Sequence, residues 1–221
     1  MPRTVAVFDW DGVVIDSSVA HERSWEALAR EEGRALPADH FKRGFGKRNE
    51  LIIPDILGWS RDPAEVRRLS LRKEALYREI ARTGHVRLLP GVRELCGALN
   101  ALGVPCVIGT STHKENLALS FELFGIGHHF AGAVASEDVT KGKPDPEVFL
   151  KACALGGGDP ATSFVFEDSF SGLQAGLAGG FITIALATTN TREQLGSAGA
   201  HRIVKDLSEV DPAWLARGRL D

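Results

Sequence analysis

The stretch VAVFDWDGVVIDSS, residues 5–18, decides how the rest of the chain is read. An apolar run stops at Asp9, passes Trp10, and meets Asp11 and Gly12. A short apolar run bounded by polar and turn residues reads as a buried strand. Side chains two apart in a strand point to one side, so Asp9 and Asp11 are expected to converge just beyond its end. Gly12 lets the backbone turn tightly and present N–H groups. Two adjacent carboxylates repel, and they need a cation, a shared proton or separate tasks. Taken alone, the segment also fits a plain acidic turn with a helix cap at Asp16.

Working outward, similar apolar runs recur as VPCVIGTST (104–112), FAGAVASED (130–138), SFVFEDS (163–169) and FITIALAT (181–188). Helical patterns lie between them: GVRELCGALNALG (91–103), with Val92, Leu95, Leu99 and Leu102 on one stripe, HKENLALSFELFGI (113–126) and DPEVFLKACALGG (145–157). Continuous apolar strands alternating with helices predict an α/β fold with a parallel sheet covered on both faces. The segment from Ser17 to about Arg82 breaks this alternation and reads as helical throughout. There Asp62 is a candidate N-cap with Pro63 at the first helical position, and Val66, Leu69, Leu76, Tyr77 and Ile80 form the apolar stripe. The expected organisation is a sheet core from residues 1–15 and 86–221, with a helical module of residues 16–85 inserted after the first strand.

The net charge of the 221-residue chain is −3, which gives no general attraction to nucleic acid or an anionic membrane. The basic stretches RGFGKR (43–48) and RRLSLRK (67–73) have acidic neighbours and few aromatics, so no nucleic-acid partner is expected. No apolar run approaches the ~20 residues of a membrane span, and the N-terminus does not read as a signal peptide. The expected location is the cytoplasm, and the expected assembly is a monomer or a small homo-oligomer. Cys96, Cys106 and Cys153 are scattered and read as reduced, buried residues. His128 and His129 read as surface residues on a loop, without acidic partners for a metal site.

The strand ends carry the chemistry. SFVFEDS delivers Glu167 and Asp168, a second acidic pair after an apolar run. Two such pairs at neighbouring strand ends supply hard oxygen ligands, which suit Mg²⁺. VIGTST ends in Thr110, Ser111 and Thr112, whose hydroxyl and backbone donors suit phosphate oxygens; each also reads as a turn former or cap. KGKPDP puts Lys143 on a turn, where its ammonium can neutralise a phosphate or simply be solvated. Ligands of open parallel sheets bind at the edge where all these residues fall.

With FDWDGVVIDS, VIGTST, KGKPDPEVF and FEDSFSG in that order, the chain resembles the haloacid dehalogenase superfamily over nearly its whole length. The resemblance implies a Rossmann-like core, a helical cap inserted after the first strand, and phosphoryl transfer through an aspartyl-phosphate. It implies Asp9 as the nucleophile, and Asp11 as the acid for the leaving oxygen and then the base for water. Thr110 would hold a phosphate oxygen, together with the donors of Gly12, Ser111 and Thr112. Lys143 would pair with phosphate and Asp9, and Asp168, helped by Glu167, would hold Mg²⁺ with Asp9 and the backbone carbonyl of Asp11. Loops near Asp16 and Arg82 would act as hinges.

Within that resemblance, Asp11 disfavours the dehalogenase and phosphonate-cleaving branches and leaves a phosphate monoester as the substrate class. The subgroup of beta-phosphoglucomutase and sugar-phosphate phosphatases is the most similar, through DSSVAHERSWEALAREEG (16–33). His21 and Lys73 sit where the mutase has substrate-contacting cap residues. Each also has a structural reading, His21 as a helix-packing residue beside Trp25 and Leu28, Lys73 as a lysine snorkelling off its apolar stripe. The mutase holds a second phosphate with a cap arginine; in GFGKRNELI (44–52) that position is Asn49, with Arg48 as a possible substitute. The expectation is a phosphatase acting on a small phosphorylated metabolite, with a phosphomutase as the alternative and a non-catalytic phosphate-binding module as the remote one.

Overall fold

The computed structural model describes residues 3–220. The chain divides into two compact units, one formed by residues up to Ile15 and from Leu88 onward, the other by Asp16–Arg87. In the first unit, β1 (Ala6–Phe8) opens the sheet. The chain crosses between units at β2 (Ile15–Asp16) and β3 (Arg87–Leu88), which pair with each other. The remaining sheet strands are β4 (Cys106–Gly109), β5 (Gly132–Val134), β6 (Phe164–Glu167), β7 (Ile182–Leu186) and β8 (Arg202–Val204). They form one sheet with β1, in the order β5-β4-β1-β6-β7-β8, and every pairing is parallel.

The strands are short because each apolar run gives way to polar or small residues at its C-terminal edge. Phe8 lies opposite Ile108 and Phe166, so the three central strands end together. Both sheet faces are covered, which explains why these strands are continuously apolar rather than alternating. One face packs Ala6, Phe8, Cys106, Ile108, Phe164 and Phe166 with Leu95 and Leu99 from α5. The other packs Val5, Val7, Val107 and Val165 with Val148, Phe149 and Ala152 from α7. Phe8 stacks on Phe166 with ring centres 4.8 Å apart. Each fully buried large apolar side chain contributes about 1.5–3 kcal/mol relative to exposure.

Ten α-helices complete the regular elements of the described residues, beside a few short 3-10 and π turns. α1 (Ser18–Glu32), α2 (His40–Gly44), α3 (Asn49–Leu51) and α4 (Pro63–Ala81) belong to the helical unit. α5 (Val92–Ala101), α6 (Lys114–Phe124), α7 (Glu147–Leu155), α8 (Phe170–Ala178), α9 (Arg192–Leu195) and α10 (Pro212–Arg217) belong to the sheet unit. In the helical unit Asp62 caps α4 by accepting a hydrogen bond from the Glu65 amide, with Pro63 in the first turn. Val66, Leu69 and Leu76 pack with Trp25, Leu28, Ile52 and Ile53 into that unit's own core. Arg68 and Arg72 tie α4 to α1 through Glu32 and Glu31, each at 2.7 Å.

Two details depart from the sequence reading. Leu102 is 53% exposed, because α5 ends at Ala101 and the next residue leaves the helical phase. Asp9 and Asp11 are not aligned by strand pleat, because β1 ends at Phe8. The chain then turns tightly, with the amides of Val14 and Ile15 returning to the Trp10 carbonyl. All three cysteines are free and buried, and none of the described helices is long and apolar enough to cross a membrane.

Candidate active site

Asp9 is the first residue past the central strand, and its amide donates to the Phe166 carbonyl of β6 at 3.0 Å. That register places it beside Glu167 and Asp168. The three carboxylates are buried, and each offers an oxygen within 4.8 Å of the others'. Lys143 reaches into the cluster from the loop before α7, with its Nζ 2.9 Å from Asp9 Oδ1 and 2.6 Å from Glu167 Oε1. The ammonium also lies over the Phe149 ring, 4.7 Å from its centre.

The members of the cluster differ in how far the chain satisfies them. Glu167 is fully engaged: Oε2 accepts from the Asp168 and Ser169 amides at 2.8 and 2.7 Å and from the Ser169 hydroxyl at 2.9 Å, while Oε1 accepts from Lys143. Asp168 Oδ1, by contrast, is buried without a hydrogen-bond partner. Asp9 Oδ1 has only the ion pair with Lys143, which is close enough for charge attraction but not aligned as a hydrogen bond.

The electrostatics follow from this inventory. Burial pushes the Asp9 carboxyl up to about 8, against the pull of Lys143. Burial and the charges of Glu167 and Asp9 also push Asp168 well above the usual carboxylate range. Glu167 resists its own burial, because Lys143 and the converging donors hold it below its ordinary value. Lys143 is likewise buried, yet the two carboxylates raise it above an ordinary lysine. When all three carboxylates are ionised, one ammonium leaves two negative charges, the complement of one divalent cation. The orphaned Asp168 oxygen and the all-oxygen donor set fit such an ion. Asp9 and Asp168 are the residues best placed to hold it, with Glu167 anchoring Lys143.

Asp11 stands outside the carboxylate cluster, and its Oδ2 accepts from the Thr112 hydroxyl. Thr110 is buried past the end of β4, with its amide on the Val134 carbonyl and its Oγ1 accepting from the Thr112 amide at 3.1 Å. Thr112 therefore gives both its donors, amide and hydroxyl, to Thr110 and Asp11. Ser111 is half-buried beside them. Gly12 has φ +80°, and a Cβ there would fall 2.0 Å from Asp168 Oδ2, so the turn needs a residue without a side chain.

The helical unit has a polar cluster of its own. Lys73 is 2% exposed, with Nζ 2.7 Å from His21 Nδ1 and 2.9 Å from Glu74 Oε1. The His21 ring stacks on Tyr77 at 4.2 Å. Asn49 is buried and donates its amide hydrogens to Ser70 Oγ at 3.0 Å and Glu74 Oε1 at 2.7 Å. Arg48 pairs with Glu50 at 3.4 Å. Lys73 thus does not snorkel to solvent, and the Asn49 amide hydrogens are directed inward.

The sequence reading missed the loop after β7. Thr188 Oγ1 donates to the Gly12 carbonyl at 2.5 Å, Thr189 Oγ1 to Asp168 Oδ2 at 2.5 Å, and Asn190 Nδ2 to the Asp168 carbonyl at 3.0 Å. The available signal was a Thr-Thr-Asn run after an apolar strand, the same pattern as Thr110-Ser111-Thr112. Glu74 was missed as well.

Comparisons with known proteins agree with this geometry. A family model described as haloacid dehalogenase-like hydrolase matches residues 4–180. The chloroplastic 5-amino-6-(5-phospho-D-ribitylamino)uracil phosphatase of Arabidopsis thaliana is 36% identical over 214 residues, 96% of this chain. The chain spans 57% of that relative's length. A Mycobacterium bovis beta-phosphoglucomutase is 29% identical over 237 residues, covering 92% of this chain and 90% of the relative. Among solved structures, a family IA, variant 3 HAD hydrolase from Entamoeba histolytica superposes with a TM-score of 0.87 at 26% identity, covering 97% of this chain and 98% of the other.

Proposed function

The chain belongs to the haloacid dehalogenase-like hydrolases, enzymes acting on phosphate esters, and we propose that it is a Mg²⁺-dependent phosphatase of a small sugar or polyol phosphate. The observation that carries this reading is Asp9, a buried carboxylate at the end of the central strand, paired to Lys143 and beside Asp168. A carboxylate so held is a nucleophile for phosphorus, and it splits a difficult hydrolysis into two displacements.

In the first displacement an Asp9 oxygen bonds to phosphorus as the bond to the ester oxygen breaks. Asp11 gives its proton to the departing oxygen. In the second, Asp11 takes a proton from water as the water oxygen bonds to phosphorus and Asp9 leaves. The Thr110 hydroxyl and Ser111 hold phosphate oxygens, whereas the Gly12 amide already donates to the Ile15 carbonyl at 2.7 Å. The Lys143 ammonium, anchored by Glu167, offsets the repulsion between Asp9 and the phosphate dianion. Mg²⁺ held by Asp9 and Asp168 would supply further neutralisation of phosphoryl charge. Thr112 orients Asp11 through its hydroxyl.

A phosphomutase is the second reading, favoured by the relative of that name. A mutase must also hold a second phosphate. The Asn49 amide hydrogens bond Ser70 and Glu74, and the Lys73 charge is matched by Glu74. Those engagements favour the phosphatase.

Phosphate release from a panel of small phosphomonoesters, with Mg²⁺ and with chelator, tests the proposal. The panel holds sugar 1- and 6-phosphates, polyol phosphates and phosphoglycolate. Mg²⁺-dependent release of one sugar or polyol phosphate well above the rest is expected. Interconversion of a sugar 1- and 6-phosphate, primed by the bisphosphate and without release, would turn the assignment to the mutase.

A further inference from the structure

The loop after β7 reaches back to both acidic turns of the sheet edge. Thr189 Oγ1 lies 2.5 Å from Asp168 Oδ2 and 3.3 Å from the Asp168 carbonyl. A threonine has one hydroxyl proton to give. The Oδ2 contact is the shorter by 0.8 Å, and the carbonyl is already served by the Asn190 amide at 3.0 Å, so the proton belongs on Oδ2. The two oxygens of Asp168 thereby become unlike: Oδ2 is held by a donor, while Oδ1 is buried with none. Without the hydroxyl the carboxylate could rotate, and both oxygens would lack a fixed donor. Thr188 bonds the Gly12 carbonyl, so the same loop is fastened on the turn that follows Asp9 and Asp11.

We propose that Thr189 is a positioning residue that holds the Asp168 carboxylate with Oδ1 as its open, cation-binding edge. Thr188 and Asn190 keep the loop seated, the first on Gly12 and the second on the Asp168 backbone. The inference rests on the metal-dependent reading above and adds to it a residue outside the acidic motifs. Partners that orient a ligating carboxylate matter to the ion nearly as much as the ligand does, and their loss typically weakens metal binding by about 10–100-fold.

The test is Mg²⁺ binding to the full chain without substrate, by isothermal titration calorimetry. Wild type is compared with Thr189→Val, which keeps the shape and removes the donor, and Thr189→Ser, which keeps the donor. Thr189→Val is expected to weaken Mg²⁺ binding by about tenfold or more, and Thr189→Ser to stay within about threefold of wild type. The Mg²⁺ concentration for half-maximal phosphate release should rise in parallel, with KM for the ester at saturating Mg²⁺ unchanged. Circular dichroism of the metal-free proteins checks the fold, and Thr189→Ala replaces the valine variant if that one does not fold. A folded, hydroxyl-free variant that binds Mg²⁺ as tightly as wild type overturns the role of Thr189 alone. So does a serine variant as weak as the valine one. Wild type that binds no Mg²⁺ overturns the metal-dependent reading itself, and this inference with it.

Discussion

Gly172→Ala should destabilise the sheet unit and disarm the site, although alanine is the better helix former. Gly172 is the third residue of α8, and a Cβ added there would fall 1.7 Å from Glu167 Oε1. The carboxylate would have to retreat by about 1.3 Å to reach even the 3.0 Å limit of real Cβ contacts. It has little freedom to do so, because Oε2 is held by the Asp168 and Ser169 amides and Oε1 by Lys143. Overpacking of this kind costs about 1–3 kcal/mol. Weakening a hydrogen bond to a charged group adds about 1.5–3 kcal/mol. The intrinsic helix preference for alanine offsets about 1 kcal/mol. The net is a loss of roughly 2–5 kcal/mol, or a Tm roughly 5–15 °C lower for a chain of this size. Phosphate release should fall by about tenfold or more, since Lys143 loses its anchor.

Gly97→Ala is the matched control. It also lies within a helix, but its nearest neighbour would be His129 Cε1 at 4.0 Å, so a gain of about 0.5–1 kcal/mol is expected. Thermal and urea unfolding of both variants, with phosphate release measured alongside, give the comparison. A Gly172→Ala chain as stable and active as wild type would refute the seating of Glu167 against α8.

Further outcomes follow from the same geometry. Asp9→Asn should lower phosphate release by about a thousandfold or more while far-UV circular dichroism stays native, because the nucleophile is lost and the shape is kept; substantial turnover would remove Asp9 from the mechanism. Chelation of Mg²⁺ should abolish release, and readdition should restore it. Mg²⁺ affinity should rise with pH: burial pushes Asp9 up to about 8 in the metal-free chain, so below that value the ion must displace a proton. The same raised value means that this group's contribution to metal-free stability is full below about pH 4 and lost as pH rises toward 8. A calorimetric affinity independent of pH between 6 and 8 would contradict that assignment. Lys73→Met should destabilise the helical unit by about 3 kcal/mol, since Glu74 is left buried without its ammonium. The Lys73→Met/Glu74→Gln double variant should recover part of that loss in urea unfolding, whereas strict additivity would speak against the pairing.

The sequence carried the sheet well, because each buried strand is a continuous apolar run that ends in residues of another kind. It also carried Asp9, Lys143 and Asp168 as one constellation, since their motifs fall at successive strand ends. It carried less where the decisive partner is distant. Thr112 looks like a free donor until its hydroxyl is found on Asp11, 101 residues away. Thr189 looks like a turn residue until it is found on Asp168. Lys73 on an apolar stripe suggests snorkelling, and only the placement of His21, 52 residues earlier, and of adjacent Glu74 shows how its charge is satisfied in the interior. Leu102 had the right spacing but fell one residue beyond the last turn of α5.

The placement of β1 at the middle of the sheet bears on synthesis. This strand is made well before either of its neighbours, β4 from Cys106 and β6 from Phe164. Such long-range pairing slows folding, because chain closure precedes the contacts that reward it. The apolar run around Val5–Phe8 must therefore wait for its first partner while about 100 further residues are made, and for its second while about 150 are. During that interval it is a segment for chaperones to shield and for aggregation to exploit. A nascent chain stalled before Phe164 would lack the strand that brings Glu167 and Asp168 beside Asp9, so enzymatic competence would arrive late and abruptly.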